Sequence, residues 1–177
     1  MAATHTARDG RPDLAAALAF VIGLSAIAGA WGFQLIGGYV PCALCLEQRV
    51  PYYVGLPVIA VALVLSRLSP AGWAAARLLL VVAAVVFAYG ATLGVYQSGA
   101  EWSFWAGPAD CGGGTAVATS AGDLLNQMRS TRVVSCTEAS WRLLGLSFAG
   151  WNVVASAAVA LLCFVAALAP RRRSADL

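Results

Sequence analysis

Lysine is absent from this chain of 177 residues, and all eleven basic side chains are arginine. Charge of either sign is scarce: 11% of residues are charged against 60% apolar, whereas a soluble globular domain has about a quarter charged. That balance excludes a soluble globular protein, and so few basic residues give no reason to expect a nucleic-acid partner. Histidine occurs once, at His5, which restricts metal chemistry. No nucleotide or flavin fingerprint is present, so the chain carries no motif for those soluble electron carriers. What is abundant is apolar sequence, in runs long enough for a bilayer.

Four such runs are expected to be membrane-spanning helices, at about 14–36, 46–66, 75–97 and 148–169. A span needs roughly 20 apolar residues. The second run, from Val50 to Ser66, reaches that length only if its helix begins near Leu46. The first has the alternative of a cleaved signal peptide, because Arg8 and Arg11 precede it and Ala28-Gly29-Ala30 resembles a cleavage site. Its unbroken length of about 23 residues favours an anchored helix, since a signal core runs to about 7–15. The expected fold is all-α: a four-transmembrane-helix bundle forming one integral membrane domain over 1–177. Two cysteine-bearing outer loops, about 37–45 and 98–147, complete it.

The arginines give the orientation, because short loops rich in basic residues stay cytoplasmic. Arg8 and Arg11 precede the first span, Arg67 and Arg77 border the loop between the second and third, and Arg171, Arg172 and Arg173 follow the fourth. All fall on one face, so both termini are expected in the cytoplasm. The long segment holding Arg129, Arg132 and Arg142 also carries Glu101, Asp110, Asp123 and Glu138. Long loops of mixed charge translocate regardless of their arginines.

Four of the five cysteines, Cys42, Cys45, Cys111 and Cys136, then share the outer face, while Cys163 lies inside the last span as a small buried hydrophobe. In a bacterium that face is the periplasm, where disulfides persist. Three pairings are open to four cysteines. A CxxC closes too small a loop to be much of a staple, so Cys42 and Cys45 suit redox exchange, and Cys111 and Cys136, across Gly112-Gly113-Gly114, suit a loop tether or a second couple. A structural role for the CxxC and a four-thiol zinc site stay open. Metal is not expected, because the compartment is oxidising and His5 lies across the membrane. Haem attachment is excluded by Leu46, which stands where a histidine is required.

Pro41 disfavours helix before the motif, so the second span is expected to begin around Cys45. A thiol at a helix N-terminus is favoured as the thiolate. Arg49 lies four residues on and would share its helical face, bringing a cation to the thiol, although snorkelling to headgroups is the plainer use of an arginine at a helix end. Gln48 is positioned to offer a hydrogen bond, and Glu47 to be solvated. Sustained disulfide formation needs a two-electron acceptor, and at the edge of the acyl chains a membrane quinone fits.

These residues carry a resemblance. Pro41-Cys42-Ala43-Leu44-Cys45-Leu46-Glu47-Gln48-Arg49 resembles the PCxLCxxQR motif of the disulfide bond formation protein B (DsbB) family. The stretch Glu101 to Cys111, with Trp102, Trp105, Gly107 and Pro108, is similar to that family's approach to its loop cysteine. Cys136 through Trp151-Asn152 is similar to its entry to the last helix. The resemblance covers nearly the whole chain, with its motifs in order. It implies an enzyme of the bacterial inner membrane that oxidises a thioredoxin-fold, DsbA-like partner at the expense of ubiquinone or menaquinone. By position it implies resting Cys42–Cys45 and Cys111–Cys136 disulfides. The partner would attack Cys111, Cys136 would attack Cys42, and Cys45 would face the quinone with Arg49 beside it. Many members have a histidine after the tyrosine at the outer end of the third span, where this chain has Tyr96-Gln97; Gln97 can hydrogen-bond a quinone but cannot supply a proton.

Ala116 to Met128 suits a short amphipathic helix on the membrane surface or a plain loop. Ser135-Cys136-Thr137-Glu138 fits a capping box for a helix running through Trp141, Leu143 and Leu144. Trp102, Trp105, Trp141 and Trp151 suit an interfacial aromatic belt. Two other readings remain: a non-catalytic membrane scaffold stapled by disulfides, and a vitamin K epoxide reductase-like quinone reductase. The latter places its loop cysteines before its CxxC, the reverse of the order here.

Overall fold

The computed structural model describes residues 12–68, 70–107 and 137–170. Helix α1 (Pro12–Leu35) begins with proline, whose missing N–H costs nothing in a first turn, and with Asp13, favourable at a helix N-terminus. A five-residue helix α2 (Ala43–Glu47) leads into α3 (Val50–Leu68), followed by α4 (Pro70–Glu101). A small hairpin, β1 (Arg142–Leu143) and β2 (Leu146–Ser147), precedes α5 (Phe148–Leu168). Four spans are long and apolar enough to cross a membrane: Pro12–Leu35, Ala43–Leu68, Gly72–Glu101 and Phe148–Leu168. The protein is an all-α, multi-pass membrane bundle.

The second span is broken at Gln48 and Arg49, and Pro51 is the cause. Proline has no N–H to donate to the Glu47 carbonyl and disfavours helical geometry just before it. The chain tightens there: Arg49 N donates to Leu46 O at 3.0 Å, and regular bonding resumes with Tyr53 N on Arg49 O at 3.2 Å.

The helices form a ring in which α4 lies between α3 and α5, and α1 closes against α5 and α3. Small residues let the backbones approach. Ala19, Ile59, Ala83, Phe87, Val159 and Cys163 are fully buried at the centre. The Phe87 ring occupies the space left by the missing side chain of Gly55 and lies edge-on to Tyr52, with centroids 5.2 Å apart. Cys163 is the buried hydrophobe its position suggested.

Two boundaries differ from expectation. Helix α4 runs a turn beyond position 97, because Ser98, Gly99, Ala100 and Glu101 stay helical, which places Gln97 inside the helix rather than at the mouth of a loop. The helix expected through Trp141, Leu143 and Leu144 is a hairpin instead. Its ladder pairs Arg142 with Ser147 and Leu143 with Leu146. Leu144 and Gly145 form the turn at φ 52° and 84°, the left-handed pair that a two-residue hairpin requires. Ser147 then caps α5, accepting from Gly150 N at 3.2 Å. Residues 135 and 136 of the expected capping box, the 116–128 segment, Cys111 and Cys136 lie outside the described residues.

Packing at Gly55 gives a direct test. A Cβ there would collide with the Phe87 ring, so Gly55→Ala should lower the stability of the detergent-solubilised protein by about 1–3 kcal/mol. Gly32→Ala, where nothing lies within 4 Å of the added carbon, should not lower it; thermal unfolding followed by circular dichroism reads both.

Candidate functional site

The CxxC lies in the wall of a cavity of about 510 Å³ lined by residues of α1, α2, α3, α4, α5 and the hairpin. Its walls are mainly aliphatic and aromatic. Phe33, Tyr39, Trp141 and Phe148 form one side, with Trp141 stacked on Phe148 at 4.8 Å. Cys42, Cys45, Gln48, Arg49, Gln97 and Glu101 supply the polar side.

Cys42, not Cys45, is the helix cap. Its Sγ accepts from Cys45 N at 3.1 Å, which leaves Cys45 in the first turn, partly exposed to the cavity, and Cys42 buried. Both are free thiols in this structure, so the geometry described is that of the reduced pair. Side-chain hydrogen bonding with Cys45, followed by burial, pushes the Cys42 thiol well above its ordinary range. Two neighbouring thiols do not both ionise readily.

Gln97 reaches this pair from α4. Its Nε2 is 3.4 Å from Cys45 Sγ and 3.7 Å from Cys42 Sγ, and donates to Glu101 Oε1 at 3.3 Å. Its Oε1 accepts from Gln48 Nε2 at 2.5 Å. The other oxygen of Glu101 is buried with no hydrogen-bond partner among the described residues.

Arg49 does not follow the helical register with Cys45, because the break at 48–49 intervenes. Its guanidinium turns to α1, donating to Gln34 Oε1 at 2.7 Å and to Ala30 O at 3.5 Å, and lies over the Trp31 ring at 5.2 Å. It is buried, not snorkelling. The cation therefore forms part of the cavity wall without a hydrogen bond to either thiol among the described residues. Glu47 is exposed, as expected.

Several polar residues here were not singled out from sequence. Tyr52 hydroxyl donates to Asn152 Oδ1 at 2.7 Å and lies 3.0 Å from Ser156 Oγ, and Asn152 Nδ2 donates to Gln48 Oε1 at 2.7 Å. The signal was available: Gln48 and Tyr52, Gln97 and Glu101, and Asn152 and Ser156 are each four apart in otherwise apolar spans, and polar side chains inside a membrane face the protein interior. The aromatic belt is only partly as expected. Trp102 and Trp105 are exposed, whereas Trp141 lines the cavity and Trp151 donates to Leu143 O at 3.2 Å.

The sequence model of the family described as disulfide bond formation protein DsbB matches residues 12–166. The chain belongs to the DsbB family. The match takes in the CxxC, three whole spans and all but the last two residues of the fourth, and the role that goes with it is that of a disulfide-forming oxidoreductase in a membrane. The chain has no significant match among curated proteins or among solved structures.

Exposure orders the thiols of this DsbB-family protein. In the reduced, folded protein a maleimide should label Cys45 before Cys42, and Cys163, at 0% exposure, only after denaturation. Mass spectrometry of the labelled peptides over time reads the order; early labelling of Cys163 would contradict the packing.

Proposed function

We propose that this chain is a quinone-linked protein dithiol oxidase that reoxidises a thioredoxin-fold, DsbA-like partner and passes the electrons to ubiquinone or menaquinone. The observation that carries the reading is a CxxC pair set in the wall of an apolar cavity, with the Gln97 N–H groups on its sulfurs. A pair meant only as a staple has no need of such a cavity.

The residues fit a quinone. A volume of about 510 Å³ lies within the range of small-molecule sites, which combine apolar walls with a few placed polar groups. Arg49 and Gln97 would hold the head group beside Cys45. When bound, the quinone supplies the two-electron acceptor.

The chain's own part is a relay of thiol–disulfide exchange, each step needing an attacking thiolate and an accessible sulfur. The partner's thiolate attacks Cys111, breaking the Cys111–Cys136 bond and releasing Cys136. Cys136 attacks Cys42, breaking the Cys42–Cys45 bond and releasing Cys45 as a thiolate. The partner leaves oxidised when its second thiol displaces Cys111. Cys111 then displaces Cys42 from Cys136, and the loop disulfide re-forms. The two electrons of the partner's dithiol now reside on Cys42 and Cys45, at the cavity. The buried Arg49 guanidinium is a fixed charge in a low-dielectric wall, where preorganised electrostatics is most effective.

Orientation follows from the arginines: one integral membrane domain over 1–177 in the bacterial inner membrane, both termini cytoplasmic, both cysteine loops periplasmic. A reporter active only in the periplasm should be silent when fused to either terminus and active when inserted in the 98–147 segment. The reverse pattern would overturn the placement of the cysteines.

The deciding experiment follows quinone absorbance with purified protein in detergent, a ubiquinone or menaquinone analogue, and a reduced thioredoxin-fold dithiol. Quinone should be consumed by the intact protein and not by Cys45→Ser. Arg49→Ala, which loses charge-assisted hydrogen bonds in the wall, should lower kcat/KM for quinone about tenfold. Undiminished turnover in Cys45→Ser would sink the mechanism. No turnover with either quinone class would leave the disulfides as staples.

A further inference from the structure

The string of amides behind the thiol pair has a direction. An amide can face either way in a hydrogen-bonded chain, so its orientation is set by neighbours that only accept or only donate. The deep end of this string has such a neighbour: the Gly90 carbonyl, 3.4 Å from Asn152 Nδ2, can only accept. That fixes the Asn152 nitrogen toward α4, and the same nitrogen donates to Gln48 Oε1 at 2.7 Å. Asn152 Oδ1, facing the other way, receives the Tyr52 hydroxyl at 2.7 Å and the Ser156 hydroxyl at 3.3 Å.

With its oxygen taken, Gln48 must present its nitrogen to Gln97 Oε1, at 2.5 Å. Gln97 then turns its nitrogen to the sulfurs, 3.4 Å from Cys45 Sγ, while its oxygen also accepts from the Cys45 thiol at the longer distance of 3.8 Å. At the outer end Glu101, another acceptor when ionised, favours the same orientation at 3.3 Å. Tyr52, Gln48, Gln97 and Ser156 are all buried, so each link is made within the protein.

We propose that Tyr52 and Asn152 are positioning residues, which fix the Gln48 and Gln97 amides so that N–H groups face Cys42 and Cys45 and stabilise the reduced pair. A thiolate gains from an N–H donor and is repelled by a carbonyl oxygen, whereas disulfide sulfurs are weak acceptors that gain little. The string therefore makes the pair more oxidising. The inference rests on the reading that Cys42 and Cys45 exchange as a redox couple, but it needs neither quinone nor partner.

The test is the reduction potential of the Cys42–Cys45 pair in the full chain carrying Cys111→Ser and Cys136→Ser, equilibrated at fixed pH with glutathione buffers in detergent. There two glutathione thiols give two electrons to break the Cys42–Cys45 bond, forming glutathione disulfide and leaving the pair reduced. Asn152→Leu, which unpins Gln48, should lower the equilibrium constant for reduction about tenfold, making the potential about 30 mV more negative. Tyr52→Phe, which removes a single hydroxyl, should move it the same way by a few-fold and serves if the first variant does not fold. In a Gln97→Leu background neither substitution should shift the potential further, because the link to the sulfurs is already cut.

Unchanged potentials in both variants, or shifts that persist and add in the Gln97→Leu background, would overturn the relay, since a merely structural effect does not depend on Gln97. If the pair fails to exchange with glutathione at all, the redox reading itself fails. An enzyme that turns over quinone normally but shows no coupling refutes only the relay.

Discussion

A polar side chain buried among membrane helices must find its partners in the protein, because the surrounding hydrocarbon offers none. Gln97 meets that requirement in one step, with its oxygen on Gln48 and its nitrogen toward two sulfurs and Glu101. Around this amide the outer half of the bundle is organised. Gln48 is held by Asn152 of α5, Asn152 by Tyr52 of α3, and Tyr52 packs on Phe87 of α4. Three helices are thus tied to one another by the group that also touches the thiols, and packing and chemistry share the same side chains.

The break in the second span serves the same end. Without Pro51 the helix would run unbroken from α2 into α3. Tightening the chain at Gln48 and Arg49 sends the two side chains to different partners, Gln48 to α4 and α5, Arg49 to α1. A short cap helix held by the Cys42 sulfur stands on this bend, so the CxxC is fixed in the cavity wall by helical geometry. The part of the cavity wall contributed by Phe33, Tyr39, Trp141 and Phe148 is apolar and aromatic.

Much of this was legible in the sequence for a physical reason: in hydrocarbon, backbone groups must bond within the segment, so a long apolar run has one answer. The spans at about 14–36 and 148–169 agree with Pro12–Leu35 and Phe148–Leu168 to within two residues. Outside the bilayer the same reasoning loses its force. The capping-box pattern before Trp141 suggested a helix, and the Leu144-Gly145 pair made a hairpin, because a local motif competes with turn geometry that only the neighbouring strands decide. The end of α4 was misplaced by a turn since polar residues such as Ser98 and Glu101 read as loop when their partners are not known.

The sequence by itself determined that the protein spans a membrane four times, that a CxxC lies where the second span begins, and that its family is DsbB. Those features are written in composition, run length and contiguous motif. The tertiary structure decided which groups meet the thiols. Arg49, in register with Cys45 on paper, went to α1, while Gln97, distant in sequence, came to the sulfurs with Gln48 and Asn152 behind it. Helical spacing fixes which residues share a face of one helix, but a hydrogen bond between helices depends on their rotation and on the bend at Pro51, and those are properties of the packed bundle.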